Sequence, residues 1–287
     1  MKLAFTKMQG AGNDFVVIDA TRVSLELPPS GWQKIADRRF GVGADQILLV
    51  QAADGPDVDF VYRIFNADGH EVEQCGNGAR CFARFVRDKG LTDKSTIRVR
   101  TRSGIISPTL HADGSVTVDM GPPGVMAADV GFDPSGLPHR REHQADCWQM
   151  TPPHQPAFWI TVVSMGNPHA VQWVDRLAEH PVAEVGAWCE SHQRFRDRVN
   201  VGFVEQHQDN SIAIRVFERG VGETLACGTG ACAAVVAGIL RGVLRSATPI
   251  AVQTRGGLLS IQWSGQARDH VMMTGPAEPV FDGVMEL

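Results

Sequence analysis

Three features are scarce or absent in this sequence, and each absence excludes a class of protein. Positive charge is not in excess, since 27 Lys and Arg against 32 Asp and Glu give a net charge of −5. This argues against nucleic acid or an anionic membrane as a partner. No apolar stretch approaches the roughly 18 residues that a membrane helix needs, and the first residues lack the apolar core of a signal peptide. We therefore expect a cytoplasmic protein.

The cysteines show no metal or redox spacing. Six of them stand at positions 75, 81, 147, 189, 227 and 232, and no two form a Cys-x-x-Cys motif. A thioredoxin-type site and a zinc ribbon therefore have no support. In a reducing compartment an even number of cysteines does not imply disulfides. We interpret Cys81, Cys147, Cys189 and Cys232 as structural residues.

Length and composition indicate more than one small domain. The chain has 287 residues, 43% hydrophobic and 21% charged, which excludes disorder. A first helix is predicted to begin at Ser30 as N-cap, and others follow Cys75 and Cys227. The helix over 230–240 is apolar on nearly every side, which predicts that other elements surround it. Seven prolines in 121–156 predict a linker or a long surface excursion there.

An internal repeat relates the two halves of the chain. When 63–79 is compared with 215–231, seven of seventeen residues are identical, where chance would give roughly one. The identical pairs are Arg63/Arg215, Phe65/Phe217, Glu71/Glu223, Cys75/Cys227, Gly76/Gly228, Gly78/Gly230 and Ala79/Ala231. Gly12-Asn13 is echoed by Gly166-Asn167 at a similar offset. The repeat predicts a duplicated domain, each copy carrying Cys-Gly-x-Gly before a helix.

The repeated Cys-Gly-x-Gly places a thiol at the start of a helix. There the backbone amides and the positive end of the helix favour a thiolate and bind a carboxylate. Two matched thiols on opposite faces of one carbon suit stereoinversion at Cα, because one thiolate removes the proton while the other thiol donates one. Amides aimed at the carboxylate would stabilise the charge that develops, without pyridoxal phosphate or a metal.

Motifs along the whole chain resemble one family. They are Met8-Gln9-Gly10-Ala11-Gly12-Asn13-Asp14-Phe15, 39–46 (RFGVGADQ), 65–69 (FNADG), 75–80 (CGNGAR), 166–169 (GNPH), 198–200 (RVN), 217–220 (FERG) and 226–230 (ACGTG). Together they are similar to the diaminopimelate epimerases, cofactor-independent amino-acid epimerases of bacterial lysine and peptidoglycan synthesis. The reaction implied is stereoinversion of LL-2,6-diaminopimelate to the meso isomer.

The resemblance also implies a fold and an assembly. It implies an α+β protein of two pseudo-symmetric domains, each a mixed or antiparallel β-sheet curled around a central α-helix. The N-terminal domain would comprise 1–120 with 276–287 and carry Cys75, and the C-terminal domain would comprise 121–275 and carry Cys227. A homodimer is expected, although Phe281 stands where the family frequently has tyrosine. The expected partners are a small-molecule substrate and a second subunit, with no nucleic acid and no membrane.

The family's functional residues can be assigned to positions of this chain. The resemblance implies that Cys75 and Cys227 are the acid and base and that His169 and Glu218 assist them. The amides of Gly76, Asn77, Gly228 and Thr229 would hold the α-carboxylate. The rest of the substrate would contact Asn13, Gln46, Asn66, Asn167, Asn200, Glu218 and Arg219. Arg219 suits a distal carboxylate, because a guanidinium binds carboxylate bidentately.

Two alternative functions remain open from sequence. The segment His139-Arg140-Arg141-Glu142-His143 matches the H-x-x-E-H signature of inverted zinc peptidases, which needs a helix to present His139 and His143 beside Glu142. It follows Pro138 and has no apolar face. A closer alternative is a proline-racemase-like enzyme, which shares the two-thiol chemistry and acts on another amino acid. A disulfide between the two cysteines is interpreted as an inactive form and not as a redox function.

Overall fold

The fold is described from a computed structural model, which covers residues 1–72, 75–153, 155–208 and 210–287. The chain divides into two compact units, unit 1 (Met1–Asp119 with Thr274–Leu287) and unit 2 (Met120–Met273). Within the described residues, no helix is long and apolar enough to cross a membrane.

Strands outnumber helices in both units. The helices are α1 (Pro29–Ala36), α2 (Gly76–Asp88), α3 (Ala127–Val130), α4 (Val182–Glu190) and α5 (Gly228–Leu240). The strands of the first half are β1 (Lys2–Gly10), β2 (Asn13–Ala20), β3 (Gln46–Ala52), β4 (Phe60–Asn66), β5 (Glu71–Val72), β6 (Val99–Thr101), β7 (Gly104–Ile106), β8 (Thr109–Leu110) and β9 (Val116–Asp119). The later strands are β10 (His139–Glu142), β11 (Ala145–Met150), β12 (Phe158–Ser164), β13 (Pro168–Trp173), β14 (Asn200–Gln208), β15 (Ser211–Glu218), β16 (Gly222–Thr224), β17 (Ile250–Gln253), β18 (Leu258–Gln262), β19 (Met272–Gly275) and β20 (Glu278–Glu286).

The two units repeat one strand pattern. In unit 1 the sheet runs β20-β1-β2-β3-β4-β6-β7, with β5 paired to β4. In unit 2 the corresponding path is β12-β13-β14-β15-β17-β18, preceded by β10 and β11, with β16 paired to β15. The pairs β2–β3 and β4–β6 are parallel, as are β13–β14 and β15–β17, and the other pairs of these paths are antiparallel. The α+β class predicted from the sequence, with a mixed sheet in each half, is confirmed.

Each sheet carries a long helix in its centre and a short helix elsewhere on it. Helix α2 packs against β1, β2 and β3, and α5 packs against β12, β13, β14 and β18. Twelve of the thirteen residues of α5 are buried, as its uniformly apolar sequence predicted. Helix α1 packs on β3 and β4, and α4 packs on β14 and β15, each with a separate apolar cluster. The architecture therefore leaves the start of each long helix at the ends of its central strands.

Two predictions about local structure are wrong. Helix α1 begins at Pro29 behind Pro28, without a side-chain cap, because proline already has the backbone angle of a first helical turn. Ser30 lies inside that turn. The stretch 121–156 is not a linker, since it contains α3, β10 and the largely buried β11. Its prolines all lie between these elements, where they cost no ladder hydrogen bond.

Candidate active site

Cys75 and Cys227 occupy the same position at the start of their helices. Cys75 is the N-cap of α2, and its Sγ accepts a hydrogen bond from the Gly78 N–H at 3.4 Å. Cys227 is the N-cap of α5, and its Sγ accepts from the Gly230 N–H at the same distance, 3.4 Å. The first amides of a helix have no partner within the helix, so each cysteine stands where anionic groups are stabilised.

The hairpin before each cysteine is fastened by the same ion pair. Arg63 on β4 donates from Nε and Nη2 to the two carboxylate oxygens of Glu71 at 3.0 and 2.9 Å. Arg215 on β15 binds Glu223 in the same bidentate way at 2.7 and 2.9 Å. Both glutamates stand four residues before a cysteine. The identical residues of the sequence repeat therefore form the same bidentate ion pair in each unit.

In unit 1, five of the predicted site residues form a group of three and a separate pair. The Cys75 thiol donates to Asn13 Oδ1 at 3.7 Å, and Asn77 Nδ2 donates to the same oxygen at 3.4 Å. Asn13 begins β2 after the turn at Ala11-Gly12, where both residues have positive φ. On the next strands Gln46 Nε2 donates to Asn66 Oδ1 at 2.8 Å.

In unit 2, the predicted residues form a second cluster around Cys227. Asn167 Nδ2 donates to Thr229 Oγ1 at 3.3 Å, and Thr229 Oγ1 lies 3.5 Å from Cys227 Sγ. His169 Nε2 lies 2.9 Å from Asn167 Oδ1. Glu218 lies within hydrogen-bonding reach of the Cys227 sulfur.

Arg219 and Asn200 lie beside this second cluster. Asn200 Oδ1 accepts from the Arg219 backbone N–H at 2.9 Å, and Arg219 Nη1 donates to the Asp197 carbonyl at 2.9 Å. Asn200 Nδ2 donates to the Pro168 carbonyl at 3.0 Å. Through these contacts Asn200 ties β13 to the turn that carries Arg219.

Electrostatics at Cys227 favour the neutral thiol. Burial raises the pKa of Cys227 well above its ordinary value, and the negative charge of Glu218 raises this pKa further. The hydrogen bonds from Thr229 and from the Gly230 N–H act in the opposite direction. A nearby proton acceptor is therefore needed before this thiol can act as a base, and Glu218 is a carboxylate in contact with it.

His169 is a neutral imidazole in this environment. Burial lowers the pKa of His169 to about 3, with a further contribution from the positive charge of Arg219. A neutral ring carries one N–H, so Nε2 donates it to Asn167 Oδ1 and Nδ1 is an acceptor. Among the residues that the structure describes, Nδ1 is buried without a hydrogen-bond partner.

The zinc-peptidase motif does not form a metal site. The segment His139–Glu142 is strand β10, and His143 follows it with a positive φ, so no helix presents the two histidines. His139 Nε2 lies 3.0 Å from Asp146 Oδ1, and the Glu142 carboxylate accepts from Arg241 Nε at 2.6 Å. Within the described ranges, no group of three metal-ligating side chains comes together.

The remaining cysteines are buried. Cys81 and Cys232 lie inside the two long helices, Cys147 is on β11 and Cys189 is on α4. Burial raises the pKa of Cys81 to about 12, and it raises the pKa of Cys189 to about 12 as well. At neutral pH these two are inert thiols, in keeping with a structural role.

Three features of the site were not predicted from the sequence. The two Arg–Glu ion pairs could have been predicted, because both the arginine and the glutamate are identical in the two copies of the repeat. Thr224 Oγ1 donates to Glu218 Oε1, and this bond between β16 and β15 has no counterpart in the sequence pattern. Asp45 accepts from Asn13 Nδ2 at 2.8 Å, a contact between residues 32 positions apart that no local pattern reveals.

Comparison with known proteins finds a matching family model and relatives of similar length. A family model described as diaminopimelate epimerase matches residues 5–126 and 161–280, the larger part of the chain. The chain is 58% identical over 287 residues to a diaminopimelate epimerase of Herminiimonas arsenicoxydans, covering 100% of both chains.

Solved structures with the same fold are more distant in sequence. A phenazine biosynthesis protein of the PhzF family from Bacillus anthracis has a TM-score of 0.70 at 16% identity, covering 100% of both chains. A hydroxyproline epimerase from Agrobacterium vitis, solved with bound trans-4-hydroxy-L-proline, has a TM-score of 0.69 at 14% identity, covering 99% of this chain and 92% of that chain. These two likenesses show the fold.

Proposed function

The chain belongs to the diaminopimelate epimerase family, and we propose that it inverts LL-2,6-diaminopimelate at one α-carbon with Cys75 and Cys227 as base and acid. Epimerase activity on diaminopimelate, a step of lysine synthesis, follows from that membership. The two-thiol mechanism is the proposed part. The observation that carries it is the placement of each cysteine as the N-cap of a buried helix in a duplicated frame.

The chemistry needs two groups of comparable strength on opposite faces of the α-carbon. One sulfur, as thiolate, takes the α-proton and becomes a thiol, and the other, as thiol, gives its proton to the opposite face and becomes a thiolate. No other bond changes, so product and substrate differ only in configuration. The reverse reaction exchanges the two roles, in keeping with the equal 3.4 Å amide contacts at the two sulfurs.

The helix starts also suit the substrate's α-carboxylate. We assign its binding to the amides of Gly76 and Asn77 on α2 and of Gly228 and Thr229 on α5. As the α-proton leaves, negative charge spreads from the α-carbon into the carboxylate, and fixed N–H donors stabilise it. Donors that bind this charge more strongly than the substrate's carboxylate lower the barrier to the reaction.

The rest of the substrate is assigned to polar side chains of the two clusters. They are Asn13, Gln46, Asn66, Asn167, Asn200, Glu218 and Arg219. In support, Gln46 Oε1 and Asn77 Oδ1 are buried without a hydrogen-bond partner among the described residues. A buried polar atom without a partner costs about 1–3 kcal/mol, which a bound ammonium or N–H group would offset. Arg219 is assigned to the distal carboxylate.

His169 and Glu218 are assigned supporting roles. Glu218 contacts Cys227 and is positioned to take its proton when this thiol must become the base. His169 is neutral, and its bond to Asn167 orders the cluster beside Cys227. We assign His169 to orientation and proton transfer as a neutral ring.

The assembly is proposed to be a homodimer through β20. This strand is at the edge of the unit 1 sheet and exposes Val280, Phe281 and Val284, each at least half exposed. Exposed apolar side chains on an edge strand are typical of strand pairing between subunits. Light scattering of wild type and of Val284→Lys tests this, with a monomeric wild type as the contradicting result.

A cytoplasmic location is proposed because both thiols must stay reduced.

Proton NMR in D2O tests the proposed reaction. Reduced protein is incubated with LL-2,6-diaminopimelate, and loss of the α-proton signal with appearance of the meso isomer is expected. Cys75→Ala and Cys227→Ala should each abolish the reaction, whereas Cys147→Ala should retain it. No exchange by the folded, reduced wild type would overturn the proposal. Exchange at proline instead would favour the proline-racemase-like alternative.

A further inference from the structure

Two asparagines at matching places in the repeat present opposite ends of their amides to the helix beside them. Asn13 turns Oδ1 to α2, where the Cys75 thiol donates to it at 3.7 Å and Asn77 Nδ2 donates at 3.4 Å. Asn167 turns Nδ2 to α5, where it donates to Thr229 Oγ1 at 3.3 Å. The sulfur of unit 1 therefore faces the amide oxygen of its asparagine.

The partner at the far end of each amide accounts for the difference. Asp45 Oδ2 accepts from Asn13 Nδ2 at 2.8 Å. A carboxylate only accepts hydrogen bonds, so the nitrogen of this amide must face Asp45 and its oxygen must face Cys75. In unit 2 the far end meets His169, which donates to the amide oxygen. At the offset of 154 that aligns the two asparagines, Asp45 corresponds to Val199, which has no polar side-chain group.

Further hydrogen bonds hold the Asp45 carboxylate in this orientation. Its Oδ2 also accepts from the Asp14 backbone N–H at 3.1 Å, and its Oδ1 accepts from Arg38 Nη2 at 2.8 Å. Asp45 N–H donates in return to Asp14 Oδ1 at 2.8 Å. Asp45 is half exposed, so the ion pair with Arg38 contributes little by itself, but together these bonds define where Oδ2 lies.

We propose that Asp45 is a positioning residue for Cys75, because by binding Asn13 Nδ2 it keeps Asn13 Oδ1 on the sulfur and favours the neutral thiol. The Gly78 N–H, which donates to the same sulfur, favours the thiolate. These opposed contacts keep both protonation states of Cys75 accessible, as a residue that alternates between acid and base requires. The inference rests on the proposed acid–base role of Cys75.

Other titratable groups also act on Cys75. Tyr62 on β4 and Cys81 on α2 interact with it electrostatically. Burial raises the pKa of Tyr62 well above its ordinary value and that of Cys81 to about 12, so both stay neutral at pH values well below 12. The positive charge of Arg80 on α2 acts against the effect of burial on the pKa of Cys81. These groups are unchanged in the variants below, so a change at Asp45 is measured against a constant background.

The test is the pH dependence of alkylation by iodoacetamide, measured separately for the Cys75 and Cys227 peptides by mass spectrometry. Asp45→Ala releases the Asn13 amide, which can then turn Nδ2 to the sulfur. We expect the Cys75 midpoint to fall by about one pH unit, the equivalent of one hydrogen bond, with Cys227 unchanged. Asp45→Asn retains an oxygen that accepts from Asn13, so its Cys75 midpoint should stay near the wild-type value.

A double-mutant cycle separates orientation from direct charge. In the Asn13→Ala background, Asp45→Ala should move the Cys75 midpoint no further. An equal shift with and without Asn13, or equal shifts at Cys75 and Cys227, would overturn the proposal. If Asp45→Ala does not fold, Asn13→Ala alone must lower the Cys75 midpoint, and an unchanged midpoint would overturn it. Alkylation needs no substrate, so a failure here is distinct from absence of epimerase activity, which would overturn only the proposed function.

Discussion

The Cys75 thiol donates to the amide oxygen of Asn13, whereas the Cys227 sulfur lies beside the carboxylate of Glu218. Both sulfurs accept one backbone N–H at 3.4 Å, and both follow a hairpin with the same Arg–Glu ion pair. The side chains differ, since Asn66 in unit 1 corresponds to Glu218 in unit 2.

This comparison separates two contributions to thiol chemistry. The duplicated backbone supplies equal donors to both sulfurs, while side chains on neighbouring strands adjust how tightly each sulfur holds its proton. Cys75 is half-buried beside an amide oxygen, and Cys227 is 5% exposed beside Glu218. We therefore expect the alkylation midpoint of Cys227 to lie above that of Cys75.

Glu218→Gln should remove most of this difference and has the largest expected effect. Without the carboxylate, the alkylation midpoint of Cys227 should fall, because the negative charge no longer disfavours its thiolate. Epimerisation should slow about 100-fold or more, the usual contribution of an acid–base group. Glu205→Gln is the matched control, since Glu205 accepts from the Leu177 N–H elsewhere in unit 2. An unchanged Cys227 midpoint in Glu218→Gln would contradict the assignment.

His169→Phe converts a residue of unit 2 to its counterpart in unit 1, Phe15. The pKa of His169 is lowered by burial to about 3, below the roughly 6.5 of an unfolded chain, so its neutral form stabilises the fold above pH 6.5. That stability is lost as pH falls from 6.5 toward 3, because the unfolded chain binds the proton. The free energy of unfolding, measured with urea, should therefore fall less between pH 6.5 and pH 3 in His169→Phe than in wild type. Parallel plots of unfolding free energy against pH for the two proteins would contradict this expectation. The control is His139→Gln, which replaces an exposed histidine on β10.

Gly78→Ala and Gly230→Ala compare the packing under the two helix starts. A Cβ at Gly78 would lie 2.4 Å from the Tyr62 hydroxyl, whereas one at Gly230 would lie 3.0 Å from Val216 Cγ2. We expect Gly78→Ala to lower the free energy of unfolding by about 1–3 kcal/mol, and Gly230→Ala by less. Thermal denaturation measures both. Adding Tyr62→Phe to Gly78→Ala should restore part of the lost unfolding free energy, because it removes the hydroxyl that the new methyl group would meet. If nothing is restored, the Tyr62 hydroxyl is not the cause of the loss.

Arg63→Gln and Arg215→Gln test the repeated ion pairs and have the smallest expected effects. Each pair is partly exposed, so the loss in unfolding free energy should be about 1 kcal/mol. Arg215→Gln should cost more, because Arg215 Nη1 donates to the Leu177 carbonyl at 3.1 Å, whereas Arg63 Nη1 binds the exposed carboxylate of Glu26 at 2.8 Å. Chemical denaturation measures the difference. Equal losses would contradict the expectation that the bond to the Leu177 carbonyl contributes more than the exposed pair with Glu26.

Much of the site's frame could be predicted from the sequence. Cys-Gly-x-Gly before a helical pattern predicted a thiol at each helix start, and the apolar sequence of α5 predicted that other elements surround this helix. These features depend on neighbouring residues, because helix starts and periodicity are local properties. The proline density of 121–156 was misleading because it is also a local property. Prolines mark the boundaries of elements, but they do not show whether the strand between two boundaries is buried.

The sequence by itself determined the duplication, because identical residues recur at a fixed offset between the two halves. It also determined the two capping cysteines and the apolar central helix, because each depends on residues within one or two turns of each other. Only the tertiary structure decided which end of the Asn13 amide faces Cys75, that His169 is neutral, and that Glu218 contacts Cys227. The partners in these contacts lie on different strands or loops, up to 62 residues apart. Hydrogen-bond direction and burial depend on sheet register and packing, which local sequence does not specify.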